Sequence, residues 1–226
     1  MRPASGGSTV FRTVDFPGAA DSGINAVNDH GVVLGTYFDN AGGSFGFIES
    51  GRRPPITLNY PGTSGVTHPS AMNDADISDG NYQDAGGVFD GWIRSATGKF
   101  TQIDDPLAGT QNGQGTAPQN INDAGIIVGD YVDNNGVIHG FVDRNGTFTT
   151  VDAPGAGTAS GQGTYVLGIN DEGVLTGDYV DASGLSHSFV DILGSFFEFE
   201  APGAGTGPGQ GSYAGGSATP AESLAT

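Results

Sequence analysis

The chain has 226 residues, with 7 Lys and Arg against 25 Asp and Glu, and its formal net charge is −18. A surface this acidic repels phosphate backbones and anionic headgroups, which argues against nucleic acid and anionic membranes as partners. The absence of cysteine excludes disulfides, thiolate zinc sites and cysteine nucleophiles. No segment is long and apolar enough to predict a membrane-spanning helix or a signal-peptide core, so any export signal would be removed or lie outside this sequence.

Glycine accounts for 41 residues, and no long stretch has Ala, Leu, Glu, Lys or Arg at helical spacing. Glycine and Asn or Asp favour turns and are costly inside helices. We therefore expect almost no helix and an all-β chain. Residues 1–8 are small and polar and predict a flexible leader, whereas residues 9–16 alternate as a strand does.

A single pattern then occurs four times. Each copy opens with an Asn-Asp pair, and the pairs lie 45, 49 and 48 residues apart. A fixed period of this size is typical of solenoids, arrays and propellers. The four pairs are Asn28-Asp29, Asn73-Asp74, Asn122-Asp123 and Asn170-Asp171. We expect these pairs to cap their own turns by hydrogen bonding to nearby backbone N–H groups.

The third copy predicts four short strands, at residues 117–121, 126–132, 137–143 and 147–152. Asn135-Gly136 is expected to form a tight hairpin turn with positive φ at both residues. Four antiparallel strands in about 45 residues match the size of one propeller blade. We predict a β-propeller of four-stranded antiparallel blades over residues 9–218, with four clear blades and a split or truncated fifth. Residues 219–226 are expected to form a flexible tail.

Aromatic residues recur at fixed places in every copy. A Gly-x-Tyr sequence is followed ten residues after the tyrosine by another aromatic residue, which predicts packing between adjacent sheets. These aromatic residues are Tyr37 and Phe47, Tyr82 and Trp92, Tyr131 and Phe141, and Tyr179 and Phe189. The Gly-rich stretches 106–116, 154–164 and 202–212 lack the lysine and the following helix of a phosphate-binding loop, so we interpret them as connectors.

The pattern GIND-x-G, then G-D-Y-x-D-x-x-G and H-(G/S)-F-V, resembles the bacterial HAF-type extracellular repeat. His139-Gly140-Phe141 stands at a conspicuous position of that repeat. The resemblance covers residues 9–218 approximately and implies an exported or cell-surface, β-propeller-like protein, without implying an activity. The first copy has Phe45 and the second Asp90 where the repeat has histidine, and the second copy has Asp76 in place of the turn glycine. A function that needs the histidine in every copy is therefore not supported.

Four aspartates stand two residues after the repeated tyrosines, in the predicted turns between second and third strands. Carboxylates beside the carbonyl groups of Gly-rich loops are what Ca²⁺ takes as ligands, so these residues are the candidate metal site. The alternative is that they cap their own turns by accepting backbone N–H bonds. The four residues are Asp39, Asp84, Asp133 and Asp181.

The histidines are expected to have structural roles. His139 and His187 are equivalent residues of neighbouring copies, which a ring would keep apart, so one ion is not expected to bind both. No spacing selects a nucleophile with a base, and we name no catalytic residue. The leading hypothesis is a non-enzymatic extracellular binding or scaffold module that presents its Gly- and Asp-rich face to a glycan, a protein or Ca²⁺. The alternatives are a secreted propeller lyase or hydrolase with an acidic central pocket, and a structural repeat that self-associates end to end through an incomplete terminal blade.

Overall fold

The computed structural model describes residues 13–51, 53–63 and 66–215. These residues form sixteen β-strands and contain no helix, as the composition predicted. The strands are β1 (Asp21–Val27), β2 (Val32–Phe38), β3 (Ser44–Ser50), β4 (Ile56–Leu58), β5 (Thr67–Met72), β6 (Ser78–Gln83), β7 (Phe89–Arg94), β8 (Phe100–Ile103), β9 (Gly115–Ile121), β10 (Ile127–Val132), β11 (Ile138–Arg144), β12 (Thr147–Val151), β13 (Gly163–Ile169), β14 (Leu175–Val180), β15 (Ser186–Ile192) and β16 (Ser195–Phe199). None of the described residues forms a helix long and apolar enough to cross a membrane.

Each copy of the sequence pattern forms an antiparallel unit with its strands in chain order. Strands β1 to β4 make one four-stranded sheet, and the other three units share a twelve-stranded sheet. Single parallel bridges join neighbouring units, from Phe89 to Gly115 and from Ile138 to Gly163. Isolated parallel bridges at the matching places join Ser44 to Val66 and Ser186 to Gly211. Within the described residues, no strand pairing joins the fourth unit to the first.

The chain ends fit the prediction only in part. Residues 13–16, the described half of the predicted strand 9–16, are not in a strand. Phe16 instead stacks on Tyr37 with ring centroids 3.8 Å apart. The leader 1–8, residues 216–218 at the end of the predicted repeat domain, and the tail 219–226 lie outside the described residues.

The core consists of aromatic and aliphatic side chains buried between units. Phe47, Trp92, Phe141 and Phe189 are at most 1% exposed, which confirms their predicted packing role. In the first, second and fourth units the glycine two residues before the repeated tyrosine provides the room: a Cβ on Gly80 would lie 2.5 Å from the Trp92 ring. A side chain at this position would therefore displace the aromatic core.

The predicted tight turn at Asn135-Gly136 is wrong in its backbone conformation. Gly136 has φ +80°, but Asn135 is not among the residues with positive φ, because Asp133 caps a longer turn here. Two described dipeptides have positive φ at both residues: Asn145-Gly146, at 55° and 83°, and Leu193-Gly194, at 52° and 88°. Asp76 adopts φ +57°, so it takes the left-handed conformation that glycine has in the other Asn-Asp turns.

Candidate functional site

The predicted metal ligands each cap their own turn. Oδ1 of Asp133 accepts the N–H groups of Asn135 and Val137, both at 2.8 Å. The other three aspartates make the same pair of bonds, to Ala41 and Gly43, to Gly86 and Val88, and to Ser183 and Leu185. The turn-capping alternative therefore describes their geometry.

Hydrogen bonding also governs the ionisation of two of these aspartates. The Ser183 hydroxyl and the Leu185 N–H lower the pKa of Asp181. Desolvation is the largest single influence on Asp133 and acts to raise its pKa, but the bonds from Val137 and Asn135 together outweigh it, so the pKa of Asp133 is lowered as well. The described residues contain one group of three ligand atoms close enough for a single ion, and none of the four predicted aspartates belongs to it. Calcium binding by this set stays a prediction.

At the opposite end of the units, the Asn-Asp pairs form a hydrogen-bonded ladder. The Asn73 side-chain N–H₂ donates to the Asn122 carbonyl at 3.1 Å, and Asn122 donates in the same way to Asn170. The backbone N–H groups of the first three Asp residues donate to the Asp carboxylate of the next unit, as from Asp123 to Asp171 at 3.0 Å. Each Asn Oδ1 also accepts N–H bonds within its own turn, as predicted.

The ladder brings all four Asn-Asp pairs to one hollow of about 360 Å³. The asparagines are buried, from 4% to 8% exposed. The amides of Asn28, Asn73 and Asn122 donate to the next unit and accept within their own turns, so both ends are paired. These contacts link residues 45 to 49 positions apart, and the turn-capping interpretation of the sequence did not include them.

The Gly-rich connectors lie against the turns of the aspartates, on the face where the sequence placed them. Gly161 donates its N–H to the Gly136 carbonyl, and Gly209 donates to Gly184, both at 2.8 Å. Inside each connector a glutamine side chain accepts a backbone N–H, as Gln162 does from Ala159 at 3.1 Å. Hydrogen bonds within each connector, and from the connector to the neighbouring turn, hold these loops in one conformation, as a preformed binding surface requires.

Two equivalent clefts open on this connector face, one repeat apart. The first, of about 540 Å³, lies where the connector of residues 202–212 meets the fourth unit, and Tyr213 lies on its wall. The second, of about 440 Å³, lies one unit earlier, and Tyr165 takes the place of Tyr213. We call them the Tyr213 cleft and the Tyr165 cleft. Tyr165 also lines the Tyr213 cleft, which therefore has two tyrosines.

The polar groups of the Tyr213 cleft are few and held in place. Oδ1 of Asp178 accepts the Ala214 N–H at 2.6 Å and the Ser188 hydroxyl at 3.0 Å. Burial raises the pKa of Asp178, and these two bonds oppose the rise. Pro208 and Leu167 add apolar surface. Two phenol rings, an aliphatic wall and a fixed carboxylate suit a small ligand that has both polar and apolar faces.

Sequence reasoning missed both tyrosines of the cleft. Tyr165 and Tyr213 stand 48 residues apart, at the repeat period, and each follows the Thr164 or Ser212 that caps its connector. The oxygens of these capping residues accept the N–H groups of Ala153 and Ala201. This spacing was a usable signal, because it equals the repeat period.

The two repeated histidines pack on the repeated tyrosines, as a structural role predicts. The ring centroids lie 5.0 Å apart for His139 on Tyr131 and 4.7 Å apart for His187 on Tyr179. His139 Nδ1 lies 3.0 Å from Asp152. His187 has more acidic neighbours, because it faces Glu198, Glu200 and Asp181. His187, Glu198 and Glu200 are the one group of described residues whose ligand atoms converge.

No protein-family model matches the chain, and no curated protein matches it. Among solved structures, the chain is similar to β-propeller-like lectins. A mutant Aleuria aurantia lectin in complex with Fucα1-6GlcNAc has 14% identity and a TM-score of 0.42, over 79% of this chain and 62% of the lectin. A mutant of AofleA from Arthrobotrys oligospora has 10% identity and a TM-score of 0.36, over 76% of this chain and 69% of its own. The chain thus spans less than two thirds of the first lectin, and similarity at this level establishes no ligand.

Proposed function

We propose that the protein is a non-enzymatic, extracellular binding module that holds carbohydrate in the clefts of its connector face. The observation that carries the proposal is the recurrence of one cleft at the repeat period, with a tyrosine at the same place in each. A sugar ring presents C–H groups on its faces and hydroxyls at its rim, and a tyrosine beside a carboxylate complements both. The Aleuria aurantia lectin is in complex with a carbohydrate, the same class of ligand, but a similarity this low does not support the proposal.

The proposal includes the arrangement of the units as blades. The four Asn-Asp pairs around one hollow support a common axis, with the connectors at the other end of it. The repeated parallel bridge at Gly211 supports the start of a fifth blade after the fourth unit. Export, which the HAF-type resemblance implies, is part of the same proposal.

The test is binding of the purified chain to immobilised glycans, followed by titration calorimetry with the best ligand. Tyr213 is 65% exposed, so we expect Tyr213→Ala to fold normally and to weaken binding at least tenfold. Tyr213→Phe retains the ring and is expected to lose less. Phe197→Ala, which removes an exposed aromatic residue of β16 outside the cleft, is the matched control. Equal affinity of wild type and Tyr213→Ala would contradict the cleft assignment, and binding to no glycan would contradict the function.

A further inference from the structure

The fourth unit contains a group of side chains that the other units do not repeat. His187 on β15 directly precedes Ser188, which pairs with Phe199 on the neighbouring strand β16, so His187 lies beside Glu200, and Glu198 is two residues before Glu200. Nδ1 of His187 lies 2.8 Å from Oε1 of Glu200 and 3.5 Å from Oε1 of Glu198. The three ligand atoms all lie within 4.8 Å of one another.

Each of the three side chains is oriented by a second partner. The Tyr179 hydroxyl donates to Oε2 of Glu198, and the Ser212 hydroxyl donates to Oε2 of Glu200 at 2.8 Å. The carboxylates therefore turn their Oε1 atoms to His187. The imidazole is stacked on the Tyr179 ring, and its Nε2 lies 3.4 Å from Asp181. Outer partners of this kind fix the tautomer and direction of metal ligands.

The charges of the group do not balance. Asp181, Glu198 and Glu200 surround a single imidazole, so a net charge of −2 remains even when His187 is protonated. None of the described lysines or arginines forms a salt bridge with these carboxylates. Like charges this close are unfavourable unless a cation joins them.

The third unit provides an internal comparison. There the residues that correspond to Glu198 and Glu200 are Thr150 and Asp152, and Thr150 bonds the Tyr131 hydroxyl at 3.1 Å. His139 therefore has one carboxylate at Nδ1, from Asp152, and lacks the second. The added carboxylate is thus particular to the fourth unit, while the tyrosine–histidine stack is common to both.

We propose that His187, Glu198 and Glu200 bind a divalent transition-metal ion, with Zn²⁺ as the best candidate. Imidazole nitrogen combined with carboxylate oxygen suits Zn²⁺, whereas Ca²⁺ prefers oxygen ligands alone. Nδ1 and the two Oε1 atoms supply three ligands, and Nε2–H donates to Asp181. The site takes none of its three ligands from the four turn aspartates or from the clefts' tyrosines, although Asp181 is an outer partner of His187.

The test is titration of the full, untagged and metal-free chain with ZnCl₂, read by calorimetry and by thermal unfolding. We expect one Zn²⁺ per chain, a rise in Tm that EDTA reverses, and at least tenfold weaker binding in Glu198→Thr and His187→Gln. Glu198→Thr installs the residue of the third unit, so it is compatible with this sheet. His139→Gln is the matched control and is expected to leave Zn²⁺ binding unchanged.

The reverse experiment builds the site in the third unit. Thr150→Glu combined with Asp152→Glu is expected to raise the stoichiometry from one Zn²⁺ to two, with far-UV circular dichroism confirming the fold. No Zn²⁺ binding by the wild type, or binding that Glu198→Thr and His187→Gln leave intact, would overturn the proposal. A loss in His139→Gln equal to that in His187→Gln would also overturn it.

Discussion

Asp79 is a buried acid that should make the stability of the protein depend on pH. It lies on β6 with no exposed surface. Oδ1 accepts the Ala71 N–H at 2.9 Å, and Oδ2 has no partner among the described residues. Burial raises the pKa of this carboxyl from 3.8 to about 7. The corresponding positions in the first and third units hold Leu34 and Val128, which shows that the site is part of the apolar core.

The raised pKa lowers the free energy of unfolding as pH increases. Below pH 3.8 the Asp79 carboxyl is protonated in both the folded and the unfolded state, so it has no effect on stability. Above that pH the free energy of unfolding falls until the pH exceeds the folded-state pKa of about 7. About three pKa units correspond to roughly 4 kcal/mol at full effect. Between pH 5 and pH 8 the expected change is about 2–3 kcal/mol. Asp79→Asn keeps the acceptor for Ala71 and cannot ionise.

Urea unfolding of wild type and Asp79→Asn at pH 5 and pH 8 measures the effect. The difference in unfolding free energy between the two proteins is expected to shift by about 2–3 kcal/mol in favour of the variant at pH 8. Other titrating groups cancel in this comparison, because both proteins contain them. Asp79→Val, which places the valine found at Val128 in the third unit at this position, cannot ionise either. Its unfolding free energy relative to wild type should change with pH in the same way. A difference that does not change with pH would refute the assignment of a raised pKa.

The remaining predictions concern the ladder, the connectors and the turns. Asn122→Ala removes a buried acceptor and a donor of the ladder, so we expect a loss of about 2–4 kcal/mol by urea unfolding. Gly163→Ala should cost at least about 3 kcal/mol, since its Cβ would lie 1.8 Å from the Ile138 carbonyl at φ +128°. Gly173→Ala, where φ is +81° and no atom lies within 4 Å, should cost only about 1–2 kcal/mol, and equal losses would contradict the clash. If the four turn aspartates bind Ca²⁺, Tm will be higher in millimolar Ca²⁺ than in chelator. An unchanged Tm would contradict Ca²⁺ binding by these residues.

Features that depend on neighbouring residues could be predicted from the sequence. The turn aspartates bond N–H groups two and four residues later, so Asp133 forms its turn whatever the rest of the chain does. The spacing of Tyr131 and Phe141 likewise identified the core, because each strand must bury one face. The backbone conformation of the turns was not predictable in the same way. Asn135-Gly136 and Asn145-Gly146 are the same dipeptide, each two residues after an Asp, but Asp133 accepts the Val137 N–H whereas Asp143 accepts the Gly146 N–H, and the two backbones differ.

Features that join residues about 48 positions apart needed the tertiary structure. The contact from Asn122 to Asn170, and the place of Tyr213 beside Tyr165, depend on how one unit curves onto the next. A periodic sequence predicts that the units have similar structures, but it does not determine the rotation from one unit to the next. The group at His187 also depends on tertiary structure, although its residues are close in sequence. Glu198 and Glu200 converge on the imidazole only when β16 pairs with β15 in the observed register. The sequence thus determined the repeating unit, and packing between and within units decided which side chains form sites.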